Sequence, residues 1–299
     1  MNGSFVLADP VSEALHEGRA VVALETSVLA QGLPYPRNME AMDAMTRAIR
    51  ARGAEPAWVF VKPGSLQVGA SEADLTRLAT KGMALKVARR DLPMVIAGGH
   101  LGATTVSAAV WAAARAGVEV TATGGIGGVH AGSGDVSADL LELSRTPGIL
   151  VCSGPKSIVD PVATLERIEE LGIGVVGYRC ERLPFFLVRE TDIRLEHLAA
   201  SPEEVGAISR TRRDLGVASA LLVCNPVPGE HAMDAAVVKD AVQGCIRQAD
   251  AQEVKGKEVT PFLLSCLAQK TGGASLEANL ALLESNAGLA ADIAVALTA

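Results

Sequence analysis

The residues that decide the fold are 121–160, TATGGIGGVHAGSGDVSADLLELSRTPGILVCSGPKSIVD. An apolar run at 149–152 has the character of a buried strand, and glycine-rich turns flank it. Lys156 follows that run, so we expect it at the carboxyl end of a strand, where α/β folds bind their ligands. Asp135 and Asp139 lie at the start of a predicted helix, where a carboxylate caps the helix or reaches a metal ion. The stretch therefore predicts an α/β fold with a candidate site at a strand end.

Strand and helix patterns alternate along the rest of the chain. Apolar runs predict buried strands at 21–25, 58–61, 65–69, 85–88, 94–97, 118–123, 173–178 and 218–226. Helices are predicted at 10–18, 38–50, 71–80, 105–116 and 159–171, from Ser201 onward, and over most of 230–299. Asn38 is predicted to cap the helix at 38–50, and Ser71 with Asp74 to open the helix at 71–80 in the manner of a capping box. The alternation predicts one α/β domain over residues 1–299, with a largely parallel or mixed sheet covered on both faces.

The composition excludes several classes of function. Hydrophobic residues make up 49% of the chain and charged residues 20%, which suits a large buried core. The formal net charge is −7 and no basic cluster follows a helix face, so binding to nucleic acid or to an anionic membrane has no electrostatic support. Apolar runs are interrupted before about 18 residues, which argues against a membrane span. The first residues show no signal-peptide pattern.

The cysteines favour a reducing compartment. The chain has five, at 152, 180, 224, 245 and 266, and no C-x-x-C pair. An odd number at long spacings argues against a disulfide framework and against a zinc site. The cysteine pattern therefore predicts a cytoplasmic protein.

Three features allow either a structural or a chemical interpretation. Glu25 closes an apolar strand, where a carboxylate either solvates the strand end or serves as an active-site acid. The sequence GGHLGATT at 98–105 leads into a predicted helix. It forms either an anion-binding loop of free backbone N–H groups or a plain Thr N-cap. Lys156 is either a solvated surface lysine or, once desolvated, a Schiff-base nucleophile. The sequence leaves each of these alternatives open.

Together these features favour a lysine-dependent enzyme that acts on a sugar phosphate. An open-chain sugar supplies the carbonyl for an imine, a carboxylate supplies the proton, and an anion cradle suits the phosphate. A Rossmann dinucleotide site is disfavoured, because Gly125 and Gly127 are followed by His130 where the third glycine should stand.

A series of motifs resembles the pseudouridine-5′-phosphate glycosidase family, in order and from about residue 10 to the C-terminus. The motifs are VALETS (22–27), GLPYPRN (32–38), ARRDLP (88–93), GATTV (102–106), ATGGIGGVH (122–130), DVSADL (135–140), KSIVD (156–160), VTPFLL (259–264) and TGGASL (271–276). The resemblance implies an α/β/α sandwich that forms homotrimers and uses manganese. It also implies an enzyme that makes or breaks a C–C bond between C1′ of ribose 5-phosphate and a ring carbon of an aglycone.

The resemblance also implies roles for individual residues. Lys156 is expected to form the imine with C1′, Glu25 to donate the proton, and Asp135 to hold the metal, partly through water. The expected substrate-binding residues are Lys86, Thr104, Thr105, Val106, His130, Ser137, Ala138, Asp139 and Asn286.

Departures from the family pattern concern the aglycone. Gln31 stands where the family usually has His, Leu101 where it often has Asn, and the loop between His130 and Asp135 is shorter. These changes resemble the divergent branch that C-ribosylates an aromatic polyketide, as in alnumycin biosynthesis, so we expect an aromatic aglycone. A housekeeping glycosidase that releases uracil, a pyrimidine aglycone, is the alternative. A non-catalytic sugar-phosphate binder is disfavoured, because both Glu25 and Lys156 are kept.

Overall fold

A central sheet carries the fold, and a computed structural model describes it for residues 3–80, 82, 84–130 and 135–298. The strands are β1 (Phe5–Leu7), β2 (Val21–Glu25), β3 (Glu55–Lys62), β4 (Ser65–Val68), β5 (Leu85–Val87), β6 (Gly102–Thr104), β7 (Val120–Ala122), β8 (Gly148–Cys152), β9 (Gly174–Tyr178), β10 (Leu198–Ala199) and β11 (Ala220–Cys224). The helices are α1 (Asp9–His16), α2 (Arg37–Arg50), α3 (Glu72–Thr80), α4 (Leu92–Ala97), α5 (Val106–Ala116), α6 (Ala138–Leu143), α7 (Pro161–Glu170), α8 (Pro202–Asp214), α9 (Ala235–Ala251), α10 (Val259–Lys270) and α11 (Ala274–Thr298).

Within the described residues, the strands form one sheet in the order β1-β4-β3-β2-β7-β8-β11-β9-β10, with β6 beside β3 and β5 beside β6. Most neighbouring strands are parallel, and among the strands of the described residues β3 alone pairs in antiparallel fashion, with β4 and β6. A short turn after Lys62 makes the β3–β4 hairpin, as the Lys-Pro-Gly sequence predicts. The predicted α/β class with a largely parallel or mixed sheet is confirmed.

Side chains that alternate along the central strands enter cores on opposite faces of the sheet. Val22 and Leu24 of β2 pack with the core that α2 and α11 cover. Val21 and Ala23 pack with the core beneath α1, α4 and α5. Both faces of β2 are therefore buried, which explains why the strand reads as a continuous apolar run. The layers are helix, sheet and helix.

Helix α11 is the central helix of the larger core. It is long and apolar enough to pass as a membrane span by length and composition, but 56% of its most apolar window is buried inside the fold. Leu282, Leu283 and Ile293 are completely buried, and the helix packs against α2 and β7. Its burial is that of a core helix.

Two local predictions are wrong. Residues 94–97, predicted as a buried strand, belong to helix α4, which begins beside Pro93 and leaves Met94 exposed. Short apolar runs do not distinguish a strand from a buried helical turn. Asn38 does not cap α2, because Pro36 holds the N-cap position. The Asn38 amide instead donates to Leu29 O at 2.8 Å and to Ala79 O at 2.9 Å, which joins three segments.

The cysteine prediction also needs correction. Cys245 of α9 and Cys266 of α10 form a disulfide, with 5.8 Å between their Cα atoms. The two helices follow each other and pack side by side, so cysteines separated by 21 positions meet across the pair. Spacing along the sequence could not show this contact. The disulfide removes the cysteine argument for a reducing compartment.

The chain leaves β2 and β7 in opposite directions across the sheet. β2 leads to β3 on one side, whereas β7 leads to β8 on the other, and β2 and β7 are parallel neighbours. Open α/β sheets bind ligands in the crevice outside the carboxyl ends of strands at such a switch point. The fold therefore places a crevice beside the last residues of β2, β7 and β8.

Candidate active site

A cavity of about 250 Å³ occupies this crevice. The predicted site residues that line it are Glu25, Lys86, Thr105, Val106, His130, Asp135, Ser137, Ala138, Asp139 and Lys156. The fold thus brings together side chains from β2, β5, α5, α6 and the loops after β7 and β8. Thr104 and Asn286 do not reach the cavity wall.

Lys156 is held at the cavity by two loops that pair with each other. Ile126 N donates to Gly154 O at 3.1 Å, and Lys156 N donates to Ile126 O at 2.9 Å. Gly154 has φ +76°, and a Cβ there would lie 2.0 Å from Pro184 O, so only glycine fits this turn. The backbone beneath Lys156 is therefore fixed on both sides.

Glu25 is buried at the end of β2 and its carboxylate is fixed by hydrogen bonds. Oε2 accepts from Ser27 Oγ at 2.7 Å and from Val28 N at 3.0 Å, and Oε1 accepts from Thr123 Oγ1 at 3.3 Å. Both oxygens of this carboxylate are therefore anchored at the cavity wall. This arrangement suits transfer of a proton at a defined position.

Lys86 and Lys156 line the same cavity and interact electrostatically. Burial lowers the pKa of Lys86 below its ordinary value, and the positive charge of Lys156 lowers it further. The carboxylates of Asp139 and Glu25 act on the Lys86 pKa in the opposite direction. The repulsion between the two ammonium groups therefore adds to burial in lowering the pKa of Lys86.

His130 and Asp135 both line the cavity. The backbone N–H of His130 donates to Asp135 O at 2.9 Å, so the two residues stay together. Burial lowers the pKa of His130, as do the charges of Lys86 and Lys156, whereas Asp135 raises it. The lowered pKa favours the neutral form of the imidazole. The rest of the loop between them, 131–134, lies outside the described residues.

Asp139 joins the glycine loop to helix α5. Its Oδ1 accepts from Ser107 N at 3.1 Å and its Oδ2 from Gly127 N at 3.0 Å. The first turn of α5 is therefore already capped by a carboxylate, and Thr105 at the N-cap position makes no side-chain capping hydrogen bond. Of the two alternatives for 98–105, the structure shows neither a fully open anion cradle nor a plain Thr N-cap. A Cβ at Gly127 would lie 2.3 Å from Ser137 Oγ, which explains the glycine.

We expect Asp139→Ala to destabilise the protein by about 2–5 kcal/mol, because one buried and one partly buried backbone N–H group lose a charged acceptor. The measurement is urea unfolding followed by circular dichroism. The matched control is Asp234→Ala, since the exposed Asp234 also accepts from two backbone amides, at 2.9 and 3.0 Å. Its expected cost is about 1 kcal/mol, that of an ordinary N-cap. Equal losses in both variants would contradict a bridging role for Asp139.

Two predicted substrate contacts are wrong. Thr104 is completely buried, and its hydroxyl donates to Val59 O at 2.5 Å within the sheet. Asn286 of α11 is also completely buried; its amide donates to Thr123 O at 2.9 Å and to Ser153 Oγ at 3.1 Å. Thr104 therefore belongs to the sheet, whereas Asn286 positions the loops after β7 and β8.

Several lining residues were not among the predicted site residues. Arg90 lines the cavity, is mostly exposed, and adds a positive charge. It belongs to the ARRDLP motif. Arg89, its neighbour, is bound to Glu142 at 2.8 Å and lies over Trp111. Thr260, Pro261 and Leu264 belong to the VTPFLL motif, but no site role was predicted for them. The sequence gives no signal for Phe186, Asn279 and Leu283, because these come from distant segments. Leu101, which bore on the aglycone prediction, is not among the lining residues.

The donor atoms fit a weakly held divalent cation better than a closed metal centre. Among the described residues, no group of three or more His, Cys, Asp or Glu side chains is placed to share an ion. Asp135 is an exposed carboxylate at the cavity wall, and Asp139 is engaged by backbone amides. One carboxylate completed by water and substrate phosphate is the way Mg²⁺ and similar hard ions are commonly held.

Comparison with known proteins assigns the chain to a family. The model of the family described as indigoidine synthase A like protein matches residues 10–296. The chain belongs to the indigoidine synthase A-like family. The family match confirms the resemblance inferred from the motifs.

The curated relatives in the indigoidine synthase A-like family carry a specific name. The chain is 45% identical to the pseudouridine-5′-phosphate glycosidase of Methylobacterium nodulans, over 97% of this chain and 87% of that protein. It is 45% identical to the enzyme of the same name from Mesorhizobium japonicum, over 96% of this chain and 95% of that protein.

Solved structures of the indigoidine synthase A-like fold agree over the whole chain. The prealnumycin C-glycosynthase AlnA, in complex with ribulose 5-phosphate, is 34% identical with a TM-score of 0.90, covering 100% of this chain and 98% of AlnA. An indigoidine synthase A-like protein from Thermotoga maritima is 38% identical with a TM-score of 0.91, covering 99% and 97%.

Proposed function

We propose that this chain makes and breaks the C–C bond between C1′ of ribose 5-phosphate and a ring carbon of an aglycone. The observation that carries the proposal is one cavity holding Glu25, anchored by three donors, together with Lys86 and Lys156. The relatives support it, since they are named as enzymes of glycosidic bonds and AlnA was solved with a pentose phosphate. The chain is an enzyme of glycosidic bonds.

The chemistry follows from an amine and a carboxylate in one cavity. In the bond-making direction, Lys156 Nζ condenses with the C1′ aldehyde of open-chain ribose 5-phosphate, releasing water and giving a protonated imine. A ring carbon of the aglycone attacks C1′, the C=N electron pair moves to nitrogen, and Glu25 takes the ring proton. The sugar O4′ hydroxyl then displaces the lysine amine and closes the ribose ring.

Bond breaking runs through the same states in reverse. Glu25 returns its proton to the ring carbon while the C1′–C bond breaks, and the nitrogen electron pair forms the imine. Water then releases ribose 5-phosphate from Lys156. A C-glycoside has no leaving oxygen to protonate, so the usual pair of carboxylates of glycoside hydrolases would not serve.

The cationic and hydroxyl groups of the cavity suit the phosphate. Lys86 and Arg90 supply positive charge, and Thr105 and Ser137 bring hydroxyl groups close by. A divalent cation held by Asp135, with Mn²⁺ as the proposed ion, would supply further positive charge to the phosphate. The chain's own residues orient the sugar without it.

For the metal, we expect Asp135→Ala to weaken Mn²⁺ binding by at least about tenfold, because a carboxylate ligand is lost. Calorimetry with Mn²⁺, with and without ribose 5-phosphate, measures this independently of turnover. The matched control is Asp192→Ala, which removes a fully exposed carboxylate outside the cavity. Unchanged Mn²⁺ affinity in Asp135→Ala would remove Asp135 from the metal site.

For Lys86, we expect the KM for the sugar phosphate to rise by about tenfold or more as the pH is raised through the Lys86 pKa. Because the Lys86 pKa is lowered, this ammonium group loses its charge at a lower pH than an ordinary lysine. Binding of the phosphate is therefore strongest below that pKa and weakens as the pH rises through it. Lys86→Arg stays charged and should keep KM flat over the same range. The same rise in both proteins would assign it to another group.

Two candidate aglycones are supported by different observations. The names of the relatives favour pseudouridine 5′-phosphate, whose cleavage gives uracil and ribose 5-phosphate. An aromatic polyketide acceptor, expected from the sequence, draws support from AlnA and from the apolar wall of Phe186, Leu264 and Leu283. That expectation loses one of its reasons, because Leu101 does not line the cavity. We therefore place pseudouridine 5′-phosphate first.

A comparison of acceptors tests the assignment. The enzyme is incubated with ribose 5-phosphate and either uracil or a hydroxynaphthoquinone, and products are separated by liquid chromatography with mass detection. Formation of pseudouridine 5′-phosphate, and its cleavage in the reverse assay, is the expected result. Reaction on the naphthoquinone alone would transfer the assignment to an aromatic acceptor, and no reaction on either would overturn both.

The homotrimer implied by the family resemblance stands as a proposal, and so does the cytoplasmic location, which no longer rests on the cysteine pattern. Family resemblance supports the trimer. Sedimentation velocity at several concentrations measures the subunit number directly, and a monomer throughout would contradict it.

A further inference from the structure

The side-chain amide of Gln31 has one half bound and the other half without a partner. Nε2 donates to Ala84 O at 2.9 Å, just before the strand that carries Lys86. Oε1 is the one buried side-chain polar atom without a hydrogen-bond partner among the residues that the structure describes. Because Nε2 is engaged, the amide is not free to turn, and Oε1 stays an acceptor.

A buried acceptor without a partner costs about 1–3 kcal/mol, so it needs an explanation. Gln31 lines the cavity, which supplies one, because a ligand in the cavity can donate to Oε1. Gln31 also lies in the π-helical turn Val28–Gly32, where Leu33 N donates to Val28 O at 3.0 Å. Such turns are rare and frequently occur at functional sites.

The position of Gln31 favours the aglycone over the sugar phosphate. Its segment begins at Glu25, which must reach the aglycone ring carbon to move a proton, and Ser27, Val28 and Gly32 of that segment also line the cavity. A carbonyl oxygen repels phosphate oxygens, which instead suit Lys86 and Arg90. It also cannot pair with a ring carbonyl, so it requires an N–H or O–H donor.

We propose that Gln31 Oε1 accepts a hydrogen bond from a ring N–H of a pyrimidine aglycone and so determines specificity. The inference rests on the proposed function with pseudouridine 5′-phosphate. A uracil ring with C1′ on its C5 carries N–H groups at N1 and N3, and the fixed amide selects for one of them. An aglycone without a donor there leaves Oε1 unpaired, which is how polar sites reject analogues.

The test combines protein variants with substrate analogues. Wild type, Gln31→Met and the matched control Gln67→Met are assayed with pseudouridine 5′-phosphate and with its N1-methyl and N3-methyl derivatives. Gln67 is a buried glutamine on β4 that does not line the cavity. Methionine keeps the length of the side chain, so steric effects of the methyl groups remain while the acceptor is lost.

With the parent substrate, Gln31→Met should lower kcat/KM by about 10- to 100-fold, and Gln67→Met should not. Wild type should discriminate against one methyl derivative. The ratio of kcat/KM for the parent to kcat/KM for that derivative should fall by about tenfold or more in Gln31→Met. Equal discrimination ratios in wild type and Gln31→Met would overturn this inference and leave the proposed function standing. So would a wild-type enzyme that turns over both methyl derivatives at the rate of the parent. No turnover of pseudouridine 5′-phosphate by wild type would overturn the proposed function and this inference with it.

Discussion

Replacing Lys156 with alanine is expected to lower turnover by at least about 10⁴-fold, the scale on which enzymes lose activity when their nucleophile is removed. Without the amine, C1′ forms no imine, and no electron sink assists the C–C bond as it breaks. The measurement is release of the aglycone from pseudouridine 5′-phosphate, followed by absorbance and confirmed by mass spectrometry.

Two controls separate chemistry from folding. The loops that hold Lys156 pair through backbone atoms, so Lys156→Ala should keep the fold and the affinity for ribose 5-phosphate within a few-fold. Lys156→Arg keeps the positive charge but forms no imine, and it should be as inactive as the alanine variant. Activity near the wild-type level in the arginine variant would show that Lys156 acts only through its charge.

Replacing Glu25 with glutamine is expected to slow turnover by about 10²–10⁴-fold, the usual contribution of general acid–base catalysis. The amide keeps the size of the carboxylate and still accepts from Ser27 and Val28, but it carries no proton to the ring carbon. The matched comparison is Ser27→Ala, which removes one of the three donors and leaves the carboxylate in place, so its loss should be much smaller.

The measurement for Glu25 is single-turnover kinetics in H₂O and D₂O. If proton transfer limits the reaction in the Glu25→Gln variant, its solvent isotope effect should exceed that of the wild type. Imine formation from Lys156 should survive in Glu25→Gln. A loss smaller than tenfold in this variant would contradict its role as the acid.

Periodicity and turn chemistry predicted most of the fold. Ser201 caps α8 through a hydrogen bond from Glu204 N, as its position before Pro202 suggests, and Ser71 with Asp74 opens α3 as predicted. The strand predicted at 94–97 is a helix because tertiary packing decides the state of a short apolar run. Strand β6 was missed because Gly102–Thr104 is too short to show alternation.

The site was predictable where a residue follows a strand end, and less so where distant segments meet. Glu25 and Lys156 close or follow buried strands, which put them in one crevice. Thr104 and Asn286 carry side chains fit for a ligand, but Val59, Thr123 and Ser153 take up their hydrogen bonds. These partners lie far away in sequence, so composition and spacing could not reveal them. The side chains of α10 and α11 that line the cavity were not predicted as site residues for the same reason.

Trapping of the imine tests the central claim most directly. The enzyme is mixed with ribose 5-phosphate, reduced with sodium borohydride, digested and analysed by tandem mass spectrometry, with sugar-free and Lys156→Ala samples as controls. The predicted result is a stable pentose-phosphate adduct on the peptide containing Lys156, absent from both controls. An adduct on Lys86 with Lys156 unmodified, or no adduct from an enzyme that turns over its substrate, would contradict the account.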